Sequence, residues 1–173
     1  MGTSHPESRP WVISQIRKTK PRTILDVGAG SGTYQYEIAK SGYTRASIDA
    51  IEVWQPYIEE FELEKKYKNV FKVDVREWNN FDYDLVIFGD ILEHMTKEDA
   101  LAVWDRVSKQ ARYAIISIPI IHYHQGAINN NPYEEHVKDD WSDEEVRESF
   151  PFITDYWVGE VVGSYLAKFP KVV

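Results

Sequence analysis

The chain has 173 residues, which suits one domain and is enough to bury a full hydrophobic core. It carries 20 lysine and arginine residues against 28 aspartate and glutamate, a formal net charge of −8, so a generic nucleic-acid-binding protein is excluded. The lack of cysteine excludes disulfides and thiolate metal sites, and no apolar run is long enough to span a membrane. The polar N-terminus has no apolar signal core, so we expect a cytoplasmic protein without membrane or nucleic-acid partners.

Hydrophobic patterning predicts that strands and helices alternate along most of the chain. Thr96 is a predicted N-cap, Ser142 and Glu145 form a predicted capping box, and Gly159-Glu160 forms a predicted tight turn between the last two strands. The predicted strands are 23–27, 46–53, 70–75, 84–88, 113–118, 153–158 and 161–167. The predicted helices lie within 11–20, 33–40, 56–67, 96–107 and 142–150.

This order predicts an α/β fold. Buried strands that alternate with helices form a parallel sheet covered on both faces, and the final hairpin adds one antiparallel strand at the far edge. No stretch has the composition of a linker. We therefore predict an N-terminal segment with a short helix over residues 1–20, followed by a single domain over 21–173.

Acidic residues follow the first four predicted strands. Ligands of such sheets bind beyond the carboxyl ends of the strands, so these side chains are expected to share one rim. They are, in chain order, Asp26, Asp49 with Glu52, Asp74, and Asp90 after Gly89.

A glycine-rich loop follows the first strand. In the run 28–32 (GAGSG), a ligand can approach backbone N–H groups that no side chain blocks. A nicotinamide fingerprint needs a glycine at position 33, where the chain has Thr33, and the lysine of a phosphate-binding P-loop is missing. Together with the acids, the loop indicates a ligand that combines a ribose with a cationic centre.

Four segments, ILDVGAGSG, AIEVWQPYI, KVDV and DLVIFGDILEHM, resemble the class I S-adenosylmethionine-dependent methyltransferases in their order and spacing. The resemblance covers roughly residues 20–170. It implies a Rossmann-like, doubly wound sheet of seven strands in the order 3-2-1-4-5-7-6, with strand 7 antiparallel. It also implies an enzyme that uses S-adenosyl-L-methionine as cofactor.

The resemblance further implies roles for individual residues. Gly28, Ala29, Gly30 and Gly32 would border the methionine part of the cofactor, and Asp26 would face its ammonium group. Glu52 would bind the ribose hydroxyls, although Asp49 stays an alternative because the acid lies slightly later than in many family members. Asp74 and Val75 would hold the adenine. Gly89 and Asp90 would lie beside the methyl group.

Four histidines occur near the predicted rim. His94 is expected to be a packing residue, whereas His122, His124 and His136 belong to the segment after the fifth strand. Asp90, His124 and His136 are the predicted catalytic residues, for the case in which the acceptor must lose a proton. No pair of histidines has a recognised ligand spacing, so no metal site is predicted.

The segment 120–141 is long for a connection and combines aromatic with amide side chains, which suits the wall of a substrate site. With Tyr123, Tyr133 and Trp141, we expect it to enclose a small-molecule acceptor that receives the methyl group on oxygen or nitrogen. Methylation of a protein side chain, a non-catalytic S-adenosylmethionine-binding protein and a nicotinamide oxidoreductase are the alternatives. The sequence leaves the oligomeric state open.

Overall fold

The computed structural model describes residues 5–170, in which seven strands form one sheet in the order β3-β2-β1-β4-β5-β7-β6. The predicted strand order is confirmed. Strands β1 to β5 pair in parallel, and β7 runs antiparallel between β5 and β6. The strands are β1 (Thr23–Val27), β2 (Ser47–Ile51), β3 (Val70–Phe71), β4 (Leu85–Gly89), β5 (Tyr113–Pro119), β6 (Ile153–Val158) and β7 (Val162–Lys168).

Within residues 5–170, six α-helices and three short 3-10 turns precede or connect the strands. The helices are α1 (Arg9–Thr19), α2 (Thr33–Lys40), α3 (Gln55–Glu60), α4 (Leu63–Lys66), α5 (Lys97–Ser108) and α6 (Asp143–Ser149). The 3-10 turns are Pro6–Ser8, Leu92–His94 and Pro132–Glu134. In the described residues, no helix is long and apolar enough to cross a membrane.

The core lies on both faces of the sheet, as the buried strands require. On one face, Ile16 of α1 and Ile38 of α2 pack against alternate strand residues such as Ile87. On the other face, Trp104 of α5 packs against Phe88 and other apolar side chains of the sheet. The predicted N-cap Thr96 accepts a hydrogen bond from the backbone N–H of Asp99 at 3.1 Å.

Four features differ from the prediction. Strand β2 stops at Ile51 and β3 at Phe71, so the acids that follow them lie in loops rather than in strands. The helix predicted over 56–67 is broken at Glu62, whose φ of 49° is left-handed. Only half of the predicted capping box forms, because the Ser142 hydroxyl accepts from the Glu145 N–H while the Glu145 carboxylate pairs with lysines.

Candidate functional site

One cleft runs along the carboxyl ends of the parallel strands, where their connecting loops meet. It extends from the ends of β2 and β3 to the ends of β4 and β5, so one ligand can contact four strands. Nine of the residues predicted to act at the site line it: Gly28, Ala29, Gly30, Glu52, Asp74, Val75, Gly89, Asp90 and His136.

The glycine loop turns sharply at the end of β1. Gly28 and Gly30 have left-handed φ values of +68° and +51°, which glycine adopts without steric cost. A Cβ atom at Gly28 would overlap the side chain of Ile91, so the loop passes close to the segment after β4. The N–H groups of Gly28 and Ala29 donate to the Ile51 carbonyl at 2.8 and 3.1 Å, which fixes the loop against the end of β2.

Glu52 is the first residue after β2 and is only 5% exposed. One of its carboxylate oxygens accepts from the Gly30 N–H at 2.9 Å, and the other accepts from the Trp54 N–H at 2.8 Å. Burial raises the pKa of this carboxyl, while the N–H donors act in the opposite direction. Asp49 does not line the cleft. It lies within β2, before Glu52, and accepts hydrogen bonds from Asn69 and from the Tyr83 hydroxyl.

Asp26 and Gly32, two further predicted cofactor residues, are outside the lining of the cleft. The Asp26 carboxylate is buried beneath the glycine loop and accepts from the Tyr67 hydroxyl at 2.6 Å. Burial raises the pKa of Asp26 to about 7, because the charged form loses its hydration. Gly32 instead caps the N-terminus of α2 and lies near Lys66 and Leu63.

Asp74 forms a bidentate pair with Arg76 at the edge of the cleft. The Arg76 Nε and NH2 groups donate to the two carboxylate oxygens at 2.6–3.1 Å. Burial opposes ionisation of this carboxyl, but the bonds from Arg76 hold the pKa of Asp74 below its ordinary value. The carboxylate is therefore fixed and charged at neutral pH.

Asp90 follows β4 with a left-handed φ of 55°, an unusual conformation for a residue with a side chain. One of its carboxylate oxygens accepts from the backbone N–H of His5 at 2.6 Å. Burial is the main cause that raises the pKa of Asp90 to about 7. Such local strain concentrates at functional sites.

The N-terminal segment His5–Ser8 crosses one side of the cleft, which the sequence did not indicate. The Glu7 carboxylate accepts from the backbone N–H groups of Glu160, Val161 and Val162 at 2.6–3.1 Å and so holds the β6–β7 turn. At the other end of the segment, the Ser8 hydroxyl lies 3.2 Å from the Ser117 hydroxyl of β5. This segment narrows the cleft beside Asp90.

The histidines divide into two groups. His136 and His94 line the cleft, and burial lowers the pKa of both, so their rings are neutral at neutral pH. The rings of His122 and His124 are 72% and 78% exposed, and each lies 3.3 Å from the Asp139 carboxylate on the outer side of the loop. The structure therefore places the predicted catalytic residue His124 outside the cleft.

The loop after β5 reaches across the cleft to the end of β2. The Tyr133 ring packs against Trp54 with ring centroids 6.2 Å apart, and both Tyr123 and Tyr133 line the cleft. The expected role of Trp141 in the acceptor wall is corrected, because its ring is 1% exposed and packs against Phe150 in the core. The loop therefore lies over the cleft from the end of β5 to the end of β2.

Glu93 is a cleft residue that the sequence analysis missed. Its side chain is 1% exposed, and burial together with the nearby Asp90 charge raises its pKa well above the usual range. The available signal was an acid beside His94 in an apolar turn directly after a buried strand.

Residues 25–116, more than half of the chain, match the protein family described as “Methyltransferase domain”. Among curated proteins, none matches this sequence closely enough to count as a relative.

Solved structures share the fold at low sequence identity. The N-terminal domain of EvdMO1 with S-adenosylhomocysteine bound is 11% identical with a TM-score of 0.68, over 96% of this chain and 83% of that one. A putative O-methyltransferase from Nostoc punctiforme is 14% identical with a TM-score of 0.69, over 92% and 55%. Human N-acetylserotonin methyltransferase in complex with S-adenosylmethionine is 12% identical with a TM-score of 0.68, over 95% and 52%. The chain thus spans about half the length of the last two proteins.

Proposed function

The chain belongs to the methyltransferase domain family and is an S-adenosylmethionine-dependent enzyme, and from that premise we propose that it methylates an oxygen or nitrogen atom of a small-molecule acceptor. The observation that carries this proposal is the shape of the cleft. A single cleft joins the glycine loop to an acceptor end. This end is enclosed by the N-terminal segment His5–Ser8 and by the late loop, residues 120–141 after β5.

The cofactor end suits S-adenosylmethionine on its chemistry. The described residues that line the whole cleft include five acidic residues, Glu52, Asp74, Asp90, Glu93 and Glu134, against the single arginine Arg76. An ammonium and a sulfonium group are favoured in such surroundings. The two hydrogen bonds that Glu52 accepts leave further lone pairs on its carboxylate, so it can also accept from a ribose diol.

The other cofactor contacts follow from position along the cleft. Asp74 and Val75 lie at the end of β3, where we assign the adenine, and Asp74 is held by Arg76. Gly28, Ala29 and Gly30 lie beside the methionine part, and Asp26 supports it from below the loop. Gly89 and Asp90, at the end of β4, then lie beside the transferred methyl group.

The acceptor end is narrow. It is bounded by His5 of the N-terminal segment, by Tyr123 and His136 of the late loop, and by Val162 at the start of β7. These side chains combine apolar surface with a few polar atoms, which is typical of a small-molecule site. The net charge of −8 also disfavours a polynucleotide acceptor.

Bound S-adenosylmethionine supplies an already activated methyl group, so the chain mainly has to align the acceptor and exclude water. Asp90, with a pKa of about 7, can accept the proton of an acceptor hydroxyl at neutral pH. His136 donates its Nδ1–H to the Tyr123 carbonyl at 2.7 Å, which leaves the lone pair on Nε2 for a polar contact in the cleft.

The test is a transfer assay that separates acceptor classes. The protein is incubated with S-adenosylmethionine labelled in its methyl group, together with either a small-molecule extract or the protein fraction of the same cells. We expect the label in small molecules and one S-adenosylhomocysteine for each labelled product. Label in proteins alone would overturn the acceptor class, and cofactor binding without turnover in either fraction would indicate a binding protein.

A further inference from the structure

Three potential metal ligands meet on the acceptor side of the cleft. One ligand atom from each of Glu93, His94 and His136 lies within 4.8 Å of the other two. Glu93 and His94 belong to the turn after β4, whereas His136 belongs to the loop after β5. The Glu93 carbonyl accepts from the N–H groups of Val137 and Lys138 at 2.8 and 3.0 Å, so backbone bonds hold the two segments together.

Backbone carbonyls orient both imidazole rings. The Nδ1 atom of His94 lies 3.1 Å from the Glu135 carbonyl, and that of His136 lies 2.7 Å from the Tyr123 carbonyl. A carbonyl oxygen only accepts, so Nδ1 carries the hydrogen in each ring and Nε2 keeps a free lone pair in the neutral form. Histidines that bind a metal usually donate their second N–H to such a partner.

The Glu93 carboxylate lacks a hydrogen-bond partner. Neither of its oxygens has one among residues 5–170, although the side chain is only 1% exposed. Buried carboxylates in proteins are paired with a cation, hydrogen-bonded or bound to a metal. Asp90, a second acidic residue, lines the same cleft. A cation between Glu93 and the two rings would give the Glu93 oxygens the partner that they lack.

We propose that Glu93, His94 and His136 bind one divalent transition-metal ion. Imidazole ligands with a carboxylate favour Zn²⁺, Mn²⁺, Fe²⁺ or Co²⁺ over Mg²⁺ and Ca²⁺, which prefer oxygen alone. Metal–ligand bonds of about 2.0–2.2 Å place neighbouring ligand atoms about 2.8–3.6 Å apart in octahedral or tetrahedral coordination. Since the three atoms already lie within 4.8 Å, small side-chain rotations close the site.

The ion also indicates the acceptor class, a step that rests on the proposed function. Three protein ligands leave coordination positions open, as in catalytic metal sites, and these positions suit an acceptor that carries a hydroxyl group. A bound ion would lower the pKa of that hydroxyl, and Asp90 would accept the hydroxyl proton. The acceptor oxygen would then form its bond to the methyl carbon while the carbon–sulfur bond breaks. The products are a methyl ether and a neutral thioether.

Metal binding is measured on the full-length protein after treatment with EDTA, without cofactor or acceptor. Calorimetric titration with ZnCl2 and MnCl2 gives stoichiometry and affinity, and the visible spectrum with CoCl2 reports the coordination number. We expect one ion per chain, and affinity that falls by about 100-fold or more in Glu93→Gln and in His136→Ala. His122→Ala is the matched control, because that exposed histidine contacts Asp139 outside the cleft. It is expected to bind the ion like the wild type.

Two results would overturn the site: no binding of Zn²⁺, Mn²⁺ or Co²⁺ at near-millimolar concentration, or binding that survives in Glu93→Gln and is lost in His122→Ala. Glu93→Gln preserves the size of the side chain, and the thermal melting curve of each variant identifies any that fails to fold. Because these titrations involve no methyl transfer, a failure to bind metal leaves the proposed function intact. If metal binds but the EDTA-treated enzyme turns over at full rate, the hydroxyl-acceptor step is overturned and the metal site stands.

Discussion

Replacing Glu52 by glutamine is expected to weaken the binding of S-adenosylhomocysteine. The carboxylate is nearly fully buried and accepts one hydrogen bond from Gly30 and one from Trp54. Glutamine keeps one acceptor oxygen but turns an NH2 group toward the other backbone donor, and it removes the charged partner that we assign to the ribose. Hydrogen bonds to charged groups contribute about 1.5–3 kcal/mol, which corresponds to an affinity about 10- to 150-fold weaker.

The assay is calorimetric titration of S-adenosylhomocysteine, with Asp49→Asn as the matched control. Asp49 lies on β2, the strand that Glu52 follows, but outside the cleft, and it pairs with Asn69 and Tyr83. Asp49→Asn is therefore expected to change the affinity by less than about threefold, roughly 0.5 kcal/mol. If folded Glu52→Gln binds like the wild type, or if Asp49→Asn is the weaker binder, the assignment of the ribose acid is refuted.

Three further outcomes are expected. The folded state holds the Asp26 proton more tightly than the unfolded chain does, so the free energy of unfolding should fall as pH rises from about 4 to about 7. In Asp26→Asn, the fall measured by denaturation over this pH range should be smaller by up to about 4 kcal/mol. A steeper fall in the variant would contradict the buried acid. Gly30→Val should lose S-adenosylhomocysteine binding in calorimetry, whereas Gly42→Val, at an equally left-handed but open position, should keep it; equal losses would implicate strain rather than the cleft. Asp90→Asn, which suits the left-handed backbone, should bind S-adenosylhomocysteine normally but lower kcat about 100-fold or more, and an unchanged kcat would leave Asp90 without a proton-transfer role.

The strand order was predictable because it follows from local hydrophobic patterns and from the resemblance to the class I methyltransferases. Runs such as Leu85–Gly89 are apolar throughout because helices cover both faces of the sheet. The residues at which individual strands and helices end were less predictable. The helix breaks at Glu62 in a left-handed conformation, although no glycine at this position indicates a break. Strand β3 is short, so Asp74 lies in a loop, where it pairs with Arg76.

The acceptor side depends on contacts between distant parts of the chain, so the sequence could not predict it. His5 reaches Asp90 across 85 positions, and Glu7 holds a turn more than 150 positions away. The residue pattern of the late loop did not show which of its histidines faces the cleft. His124 is exposed, whereas His136 lines the cleft. Trp141 was expected at the acceptor wall but is part of the core. The sequence could not decide between the two places, because a large aromatic ring near the start of a helix can pack in either.

The most direct test of the central claim is a crystal structure of the chain with S-adenosylhomocysteine. We expect density for the ligand along the carboxyl ends of β1 to β4, with the ribose hydroxyls on Glu52, the adenine beside Asp74 and the sulfur toward Asp90. Density at another place on the protein, or none at millimolar ligand, would contradict it.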